Sequence, residues 1–572
     1  MRICGIKLTH DGSIALLEDR RLIFSVEQEK RDNNPRYQTI DNLDTVIDIL
    51  GDHGLKTEDI DQFVIDGWDG EAESHFNVSS GQAPLVLRGG PYVERRPDGV
   101  LDPVEGTGLV IGGESFPYTS FSHVTGHIAS AYCTSPFAAA AEPAYCLIWD
   151  GCIFPRLYYV DRGGARFLQS LFPIIGQAYA AAGHYFGPYK RSSQLTWDLG
   201  VAGKLMAFIA LGSPHEDVIS VFQELYEQHF LSRASTDDYC GPGTGDPDTS
   251  LASIHKFFDA SVARLAGKPA EDVLASFHSF LERLLVREMG AAMLRHPYPG
   301  PQNLCIAGGC GLNIKWNSAL RNTGLFAQVF VPPFPNDSGS AIGAACSAMA
   351  ASDGFVSIDW SVYSGPVLRD ADVPPGWKAA PCSLADLAAL LAKNEPVVFL
   401  TGHAELGPRA LGGRSIIASP TSPVMKDLLN DIKLREHFRP VAPICLEDRA
   451  PEIFDPGTPD PYMLFDHQTR ANWRREIPAV VHLDGSARLQ TVSRSSTHLV
   501  AQLLVEYESL TGIPLLCNTS ANHHGRGFFP DVRSACDWGK VANVWSDGTL
   551  FSNERNERPR GDEGEYPGTA TA

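Results

Sequence analysis

The sequence predicts an α/β protein of two domains, and three observations carry that reading. The chain opens with "RICGIKL", "SIALLED" and "RLIFSVEQEK", apolar segments joined by polar turns, the pattern of an antiparallel meander. Further on, "NLCIAGGCGLN" and "AQVFVPPFPNDSGSAIGAACSAMA" each run from an apolar strand through a turn into a helix, as units that cradle anions do. After a stretch from about 352 to 382 rich in Gly, Pro and Asp, "SLADLAALLAKNEPVVFLTGHAELGPRALGGRS" starts helix and strand again. A boundary there gives domains of 1–360 and 361–572, with no internal repeat in the sequence.

Composition narrows the function classes. A chain of 572 residues is too long for one core, and 43% hydrophobic with 20% charged residues is the make-up of a packed globular protein. The formal charge of -21 disfavours nucleic acid as a partner, because binding a phosphate backbone needs clustered Lys and Arg. Twelve cysteines without C-x-x-C pairs read as reduced core thiols of a cytoplasmic protein. The N-terminus "MRICGIKLTHDG" has no signal-peptide pattern, and no apolar run is long enough to span a bilayer, so a membrane is not expected either.

Four elements matter for chemistry. "AYCLIWDG" predicts a strand that delivers Asp150 at its carboxyl end, where layered α/β folds present side chains to ligands. Residues 271–296 repeat apolar positions at three- and four-residue steps, an amphipathic helix on which His278 reads as structural. In "FSHVTGH", Ser122 can cap a helix whose one face carries His123 and His127, four apart; the spacing alone leaves a metal pair and a packing coincidence both open. Finally, Arg409, Arg414, Lys433, Arg435 and Arg439 fall within about thirty residues of an otherwise acidic chain, which points to an anion site.

Several of these motifs, in order, resemble those of the antibiotic O-carbamoyltransferases, the group that modifies tobramycin, novobiocin, cephamycin and geldanamycin-type molecules. "THDGSIALLED", "SHVTGHIASAYCTSPF", "LIWDG", "GKLMAFIALG", "AGGCGLN" and "PFPNDSGSAIGAA" carry the resemblance in the first half, and "GPRALGGRSI", "IKLREHFRPVAP", "DGSARLQTV" and "CNTSAN" in the second. The resemblance implies an N-terminal Kae1-like domain of the actin and sugar-kinase superfamily and a C-terminal YrdC-like domain. It implies that the YrdC-like domain joins carbamoyl phosphate to ATP, with Mg2+ accompanying the nucleotide, to give carbamoyl adenylate and pyrophosphate. The Kae1-like domain then passes the carbamoyl group to a hydroxyl of a small natural product beside a bound iron, Fe2+.

By the same resemblance the metal ligands are His123, His127, Asp150 and Asp337, a set of two imidazoles and two carboxylates suited to a borderline divalent cation. Gly308, Gly309, Asn313 and Lys204 are the implied nucleotide contacts of the first domain. Arg409, Lys433, Arg439, Arg488 and Ser520 are assigned to carbamoyl phosphate and ATP in the second, with Arg414 and Arg435 supporting the loop through ion pairs. The acceptor hydroxyl needs a proton acceptor, and His10, in the turn after the first strand, is the expected base because unperturbed histidine titrates near neutrality. Two departures from the family pattern are Gly413, in place of an asparagine, and Ala521, in place of an aromatic, a change that either enlarges the nucleotide pocket or is compensated by Phe528.

Related readings of the same domains fit less well. Hydrogenase maturation would bring zinc-binding C-x-x-C segments, threonylcarbamoylation of tRNA a basic surface, and a nucleotide-switched regulator without chemistry would need neither constellation. The acceptor scaffold and the oligomeric state are not encoded in readable motifs; residues 77–105 and 170–198 are the expected acceptor walls, and the polar residues 553–572 an expected frayed end.

Overall fold

The computed structural model describes residues 1–70, 72–189, 199–231, 247–370 and 372–553. The last part of the expected acceptor wall, 190–198, and the tail beyond 553 lie outside the described residues.

The opening meander forms as the sequence predicts. Arg2–Lys7 pairs antiparallel with Ser13–Glu18, and Ser13–Glu18 with Arg21–Glu27. Gln62–Asp66 then joins parallel to Arg2–Lys7, and Glu114–Phe121 parallel to Gln62–Asp66, with Val104–Ile111 at the edge. A second sheet repeats this plan: Ala144–Ile148, Arg156–Asp161 and Gly164–Ser170 form the meander, and Asn303–Ala307 and Gln328–Phe330 are added in parallel. The first domain therefore contains a duplication that reading for repeats missed. What recurs is the pairing order, which needs only apolar strands of suitable length and no common residues.

Each half sends one helix across to the other. His123–Cys133 packs on Ala144–Ile148 and Asn303–Ala307, while Ser340–Asp353 packs on Arg2–Lys7 and Ser13–Glu18. Both helices are buried on every side over Ser340–Ala350 and His123–Cys133, so small residues replace the usual apolar stripe. They cross where a Cβ on Gly343 would stand 2.1 Å from the Gly126 carbonyl oxygen. Ala is favoured over Gly in a helix by roughly 1 kcal/mol, but a backbone contact this close has no side chain to give way and overpacking costs about 1–3 kcal/mol. Gly343→Ala should accordingly lower the thermal unfolding temperature, as followed by circular dichroism; an unchanged or raised midpoint would contradict this crossing.

The second half is built on one mixed sheet of eight strands. Its order is Trp377–Pro381, Thr549–Asn553, Asn543–Ser546, Val397–Leu400, Arg414–Ala418, Leu515–Ser520, Ala442–Leu446, Gln490–Val492. Alternate residues divide between its faces: Val397 and Phe399 pack with the helices Leu384–Leu391 and Leu499–Thr511, Val398 and Leu400 with the opposite layer around Phe454 and Phe529. Ser383 and Asp386 cap the first of those helices reciprocally.

The halves meet along a polar seam. Lys30, buried, donates to the carbonyls of Glu405 at 2.7 Å and Gly407 at 2.6 Å and pairs with Glu27 at 2.6 Å. The loop after Arg31 then lies along the one near residue 525, with Arg36 N–H donating to Gly525 O at 3.0 Å and Gly527 N–H to Asn34 O at 3.0 Å.

Candidate functional site

His123, His127, Asp150 and Asp337 converge from three separate points of the chain. All four are buried, and one donor atom of each lies within 4.8 Å of the others. The two histidines start one helix, whose first free N–H groups are taken by Pro91 O and Tyr92 O at 3.0 and 3.1 Å. Ser122 occupies the cap position, but its hydroxyl bonds that of Thr125 at 2.7 Å instead of the backbone, because the carbonyls of Pro91 and Tyr92 already do that work. Asp150 follows the strand Ala144–Ile148, as expected, and Asp337 opens the turn before Ser340–Asp353.

The orientation of these groups is fixed from outside. Asp66 Oδ2 stands 2.7 Å from His123 Nδ1, which turns Nε2 inward; there it stands 3.4 Å from Asp337 Oδ1, with His127 Nε2 at 3.5 Å. Both Nε2 atoms are buried and without hydrogen-bond partners. The Lys7 ammonium lies 2.9 Å from Asp337 Oδ2 and 3.0 Å from Asp66 Oδ2, over the Trp68 ring at 4.1 Å. Tyr92 stacks on His123 and donates its hydroxyl to Asp150 at 3.3 Å. Burial and Lys7 lower the basicity of His123, but Asp66 and Asp337 outweigh them and raise its pKa to about 9. Burial opposes ionisation of Asp337, yet Lys7, His123 and His10 hold it well below the usual carboxylate range. Two orphaned imidazole nitrogens beside two carboxylates are the donor set of a divalent cation site, so the residues present fit such an ion.

His10 borders this cluster. Its Nδ1 meets Asp11 Oδ2 at 2.9 Å, leaving Nε2 turned inward, 3.6 Å from Asp337 Oδ2, and its side chain is 31% exposed. Burial pulls its pKa down, and Asp337 and Asp11 together raise it above the ordinary value.

Of the four residues expected at a nucleotide, two adjoin Asp150. Gly308, at φ 86°, lies so close to Trp149 O that a Cβ would stand 2.4 Å away. Gly309 N–H donates to Asp150 Oδ1. Asn313 caps the helix Ile314–Asn322 through its Oδ1, leaving its buried Nδ2 without a partner. Lys204 lies over the Tyr189 ring at 5.8 Å, where Phe208 meets Phe438 of the second half. His278, hydrogen-bonded to Tyr179 at 3.0 Å and stacked on Trp316, is pushed by burial to a pKa of about 3, which fits its structural reading.

The second constellation is a nest of guanidinium groups. Burial, then repulsion from Arg36 and Arg439, push Arg409 down to about 10; burial and the charges of Arg439, Arg36 and Arg409 push Arg435 to about 9. Arg488 is depressed further, first by burial and then by Arg409, Arg435 and Arg439. The Nε groups of Arg409 and Arg488 are buried without partners. Arg435 thus belongs to the cluster and is no mere loop support, while Arg414 does brace the loop, donating to the carbonyls of Thr401 and Gly402 at 2.6 and 2.9 Å instead of forming ion pairs.

Lys433 differs from expectation. Its ammonium donates to Ser520 O at 2.7 Å, to Asn522 O at 2.9 Å and to Asn522 Oδ1, which engages all three of its protons. It therefore tethers the turn carrying Ser520, whose own hydroxyl donates to Asn522 Oδ1 at 2.7 Å. Ala521 is buried in one cluster with Phe529, whereas Phe528 packs with Ala404 and Ala410.

Sequence reading missed Lys7, Asp66, Tyr92 and Arg36. Arg36 comes from the first half, where Tyr37, Glu29 and Asp11 favour its charge against burial, yet it repels the arginines of the second.

Comparison with known proteins identifies the family. Residues 2–346 match the family model described as "Carbamoyltransferase N-terminus" and residues 388–544 the one described as "Carbamoyltransferase C-terminus". The chain belongs to the carbamoyltransferase family. It is 70% identical to nodulation protein U of Rhizobium tropici over 97% of this chain and 96% of that one. It is 68% identical to nodulation protein U of Bradyrhizobium diazoefficiens, covering 96% of this chain and 97% of the other. The 3'-hydroxymethylcephem-O-carbamoyltransferase of Streptomyces clavuligerus is 32% identical over 95% of this chain and 98% of that enzyme. The resemblance read from motifs is therefore shown, and this carbamoyltransferase is an enzyme whose relatives include O-carbamoyltransferases of the antibiotic group. Among the described residues no helix is long and apolar enough to cross a membrane.

Proposed function

We propose that this carbamoyltransferase works in two steps at its two constellations. Carbamoyl phosphate and ATP bind at the guanidinium nest, where water cleaves carbamoyl phosphate to carbamate and inorganic phosphate and the carbamate oxygen attacks the α-phosphorus of ATP, giving carbamoyl adenylate and pyrophosphate; the carbamoyl group then passes to an acceptor hydroxyl at the histidine–aspartate cluster, releasing AMP. The observation that carries the reading is the presence in one chain of mutually repelling buried arginines and a four-donor buried cluster.

In the first step Arg409, Arg435, Arg439 and Arg488 bind and orient the phosphates. Guanidinium forks hold phosphate oxygens bidentately and offset their mutual repulsion as the two anions approach. The turn fixed by Lys433 presents Ser520 to the same region. In the second step His123, His127, Asp150 and Asp337 would hold a divalent metal, for which Fe2+ is the proposal. Such an ion supplies Lewis-acid stabilisation of the negative charge that develops on the carbamoyl oxygen. His10, its tautomer set by Asp11, takes the proton of the attacking hydroxyl at Nε2. Trp68 and Tyr92 wall the cluster from water.

The relatives above 60% identity are nodulation proteins, while the cephem enzyme stands at 32%, so the proposed acceptor is a hydroxyl of a small molecule made for nodulation. The test is mass spectrometry of hydroxylated nodulation metabolites incubated with the full chain, ATP, carbamoyl phosphate, Mg2+ and Fe2+. One added carbamoyl group, dependent on ATP, is expected; transfer that proceeds equally without ATP would refute the two-step reading.

A further inference from the structure

We infer that Lys7 is a positioning residue that forces Asp337 to bind the metal through one oxygen only, keeping a coordination position open for the transferred group. The inference rests on the reading of His123, His127, Asp150 and Asp337 as a metal site and adds a residue outside that set.

The geometry is specific. Lys7, the last residue of the first strand, is 1% exposed, and its charge is met by the carboxylates of Asp337 and Asp66. Its Nζ stands 2.9 Å from Asp337 Oδ2, while Asp337 Oδ1 faces His123 Nε2 and His127 Nε2 at 3.4 and 3.5 Å. The two oxygens of one carboxylate are thus divided, one toward the ammonium and one toward the two imidazoles. Asp66 holds the arrangement from behind, 3.0 Å from Lys7 Nζ and 2.7 Å from His123 Nδ1, and Trp68 closes the far side of the ammonium at 4.1 Å.

Two physical consequences share one sign. A buried ammonium repels a divalent cation in the adjoining site, and it occupies the oxygen that would otherwise complete a chelate. Both weaken metal binding. A residue retained at that cost sets coordination number, since a catalytic site must leave a position free where a structural site is closed. Removing the charge should therefore tighten binding, whereas loss of an ordinary structural contact beside a metal site weakens it, typically 10–100-fold.

The experiment uses the full chain with Co2+ as the probe, its affinity measured by chelator competition and its coordination number by the intensity of its visible absorption. Lys7→Met should bind Co2+ about tenfold or more tightly than the parent, the scale expected for a unit charge several ångströms away at the effective dielectric of a protein interior. Its visible band should weaken, because the second oxygen raises the coordination number. Lys7→Gln, which keeps a hydrogen-bond donor without the charge, should also bind more tightly, and Lys7→Arg should stay near the parent. Should Lys7→Met fail to fold, Lys7→Gln decides. Affinity that is unchanged or weaker in the neutral variants, or tighter with no loss of band intensity, would overturn the inference. A parent chain that binds no Co2+ would instead overturn the underlying metal reading.

Discussion

His127→Ala should abolish carbamoyl transfer while pyrophosphate release continues. His127 Nε2 is buried, has no hydrogen-bond partner and points at Asp337 Oδ1, 3.5 Å away, so its removal deletes one of four donors and no fold contact of comparable polarity. The helix that carries it is already secured at its start by Pro91 and Tyr92 and along its length by burial. Loss of one preorganised stabiliser of developing negative charge costs on the order of 10²–10³-fold in turnover, and loss of the metal as well should take transfer below detection. The guanidinium nest lies in the other half and is untouched. Mass spectrometry of the acceptor, run beside a pyrophosphate assay and metal analysis of the variant, checks the result. Full transfer by a variant that holds no metal would remove His127 from the site.

Arg439→Ala should do the reverse, stopping pyrophosphate release while transfer from supplied carbamoyl adenylate survives. Arg439 lies in the nest with Glu436 3.8 Å away, and burial, with a smaller part from Arg36, lowers its pKa against the attraction of Glu436 and Tyr189. Charge-assisted hydrogen bonds contribute about 1.5–3 kcal/mol each, so losing a bidentate phosphate contact should slow adenylation by about 10²-fold or more. Because the cluster is self-repelling when empty, the same substitution should leave thermal stability unchanged or raise it slightly. The check is the rate of pyrophosphate release at saturating ATP and carbamoyl phosphate, with a melting curve alongside. Undiminished adenylation would show that this arginine only decorates the surface.

These opposite expectations follow from parts of the molecule that were unequally legible in the sequence. The meander, the strand delivering Asp150 and the helix pair His123 and His127 are local patterns, and local patterns survive reading. Asp337 joined the set only through family resemblance. Lys7 and Asp66 escaped because they lie 59 positions apart and Lys7 meets His123 across 116, separations at which sequence carries no periodic signal. Arg36 escaped for a related reason: its loop reaches the second half through backbone hydrogen bonds from Arg36 to Gly525 and from Gly527 to Asn34, which any residue can make. Lys433 was misjudged because a cation in an anion-binding motif and a cation that tethers a turn look the same until the carbonyls of Ser520 and Asn522 are placed around it.

The central claim is a division of labour, with adenylation at the arginine nest and transfer at the histidine–aspartate cluster of one chain. A single turnover tests it most directly: full-length enzyme stripped of transition metal, given Mg2+, ATP, labelled carbamoyl phosphate and the acceptor, then quenched before and after Fe2+ is added. One equivalent of pyrophosphate and labelled carbamoyl adenylate are expected before Fe2+, and the labelled carbamate ester of the acceptor with AMP only afterwards. Pyrophosphate that appears only when Fe2+ is present, or carbamate ester formed without it, would contradict the division.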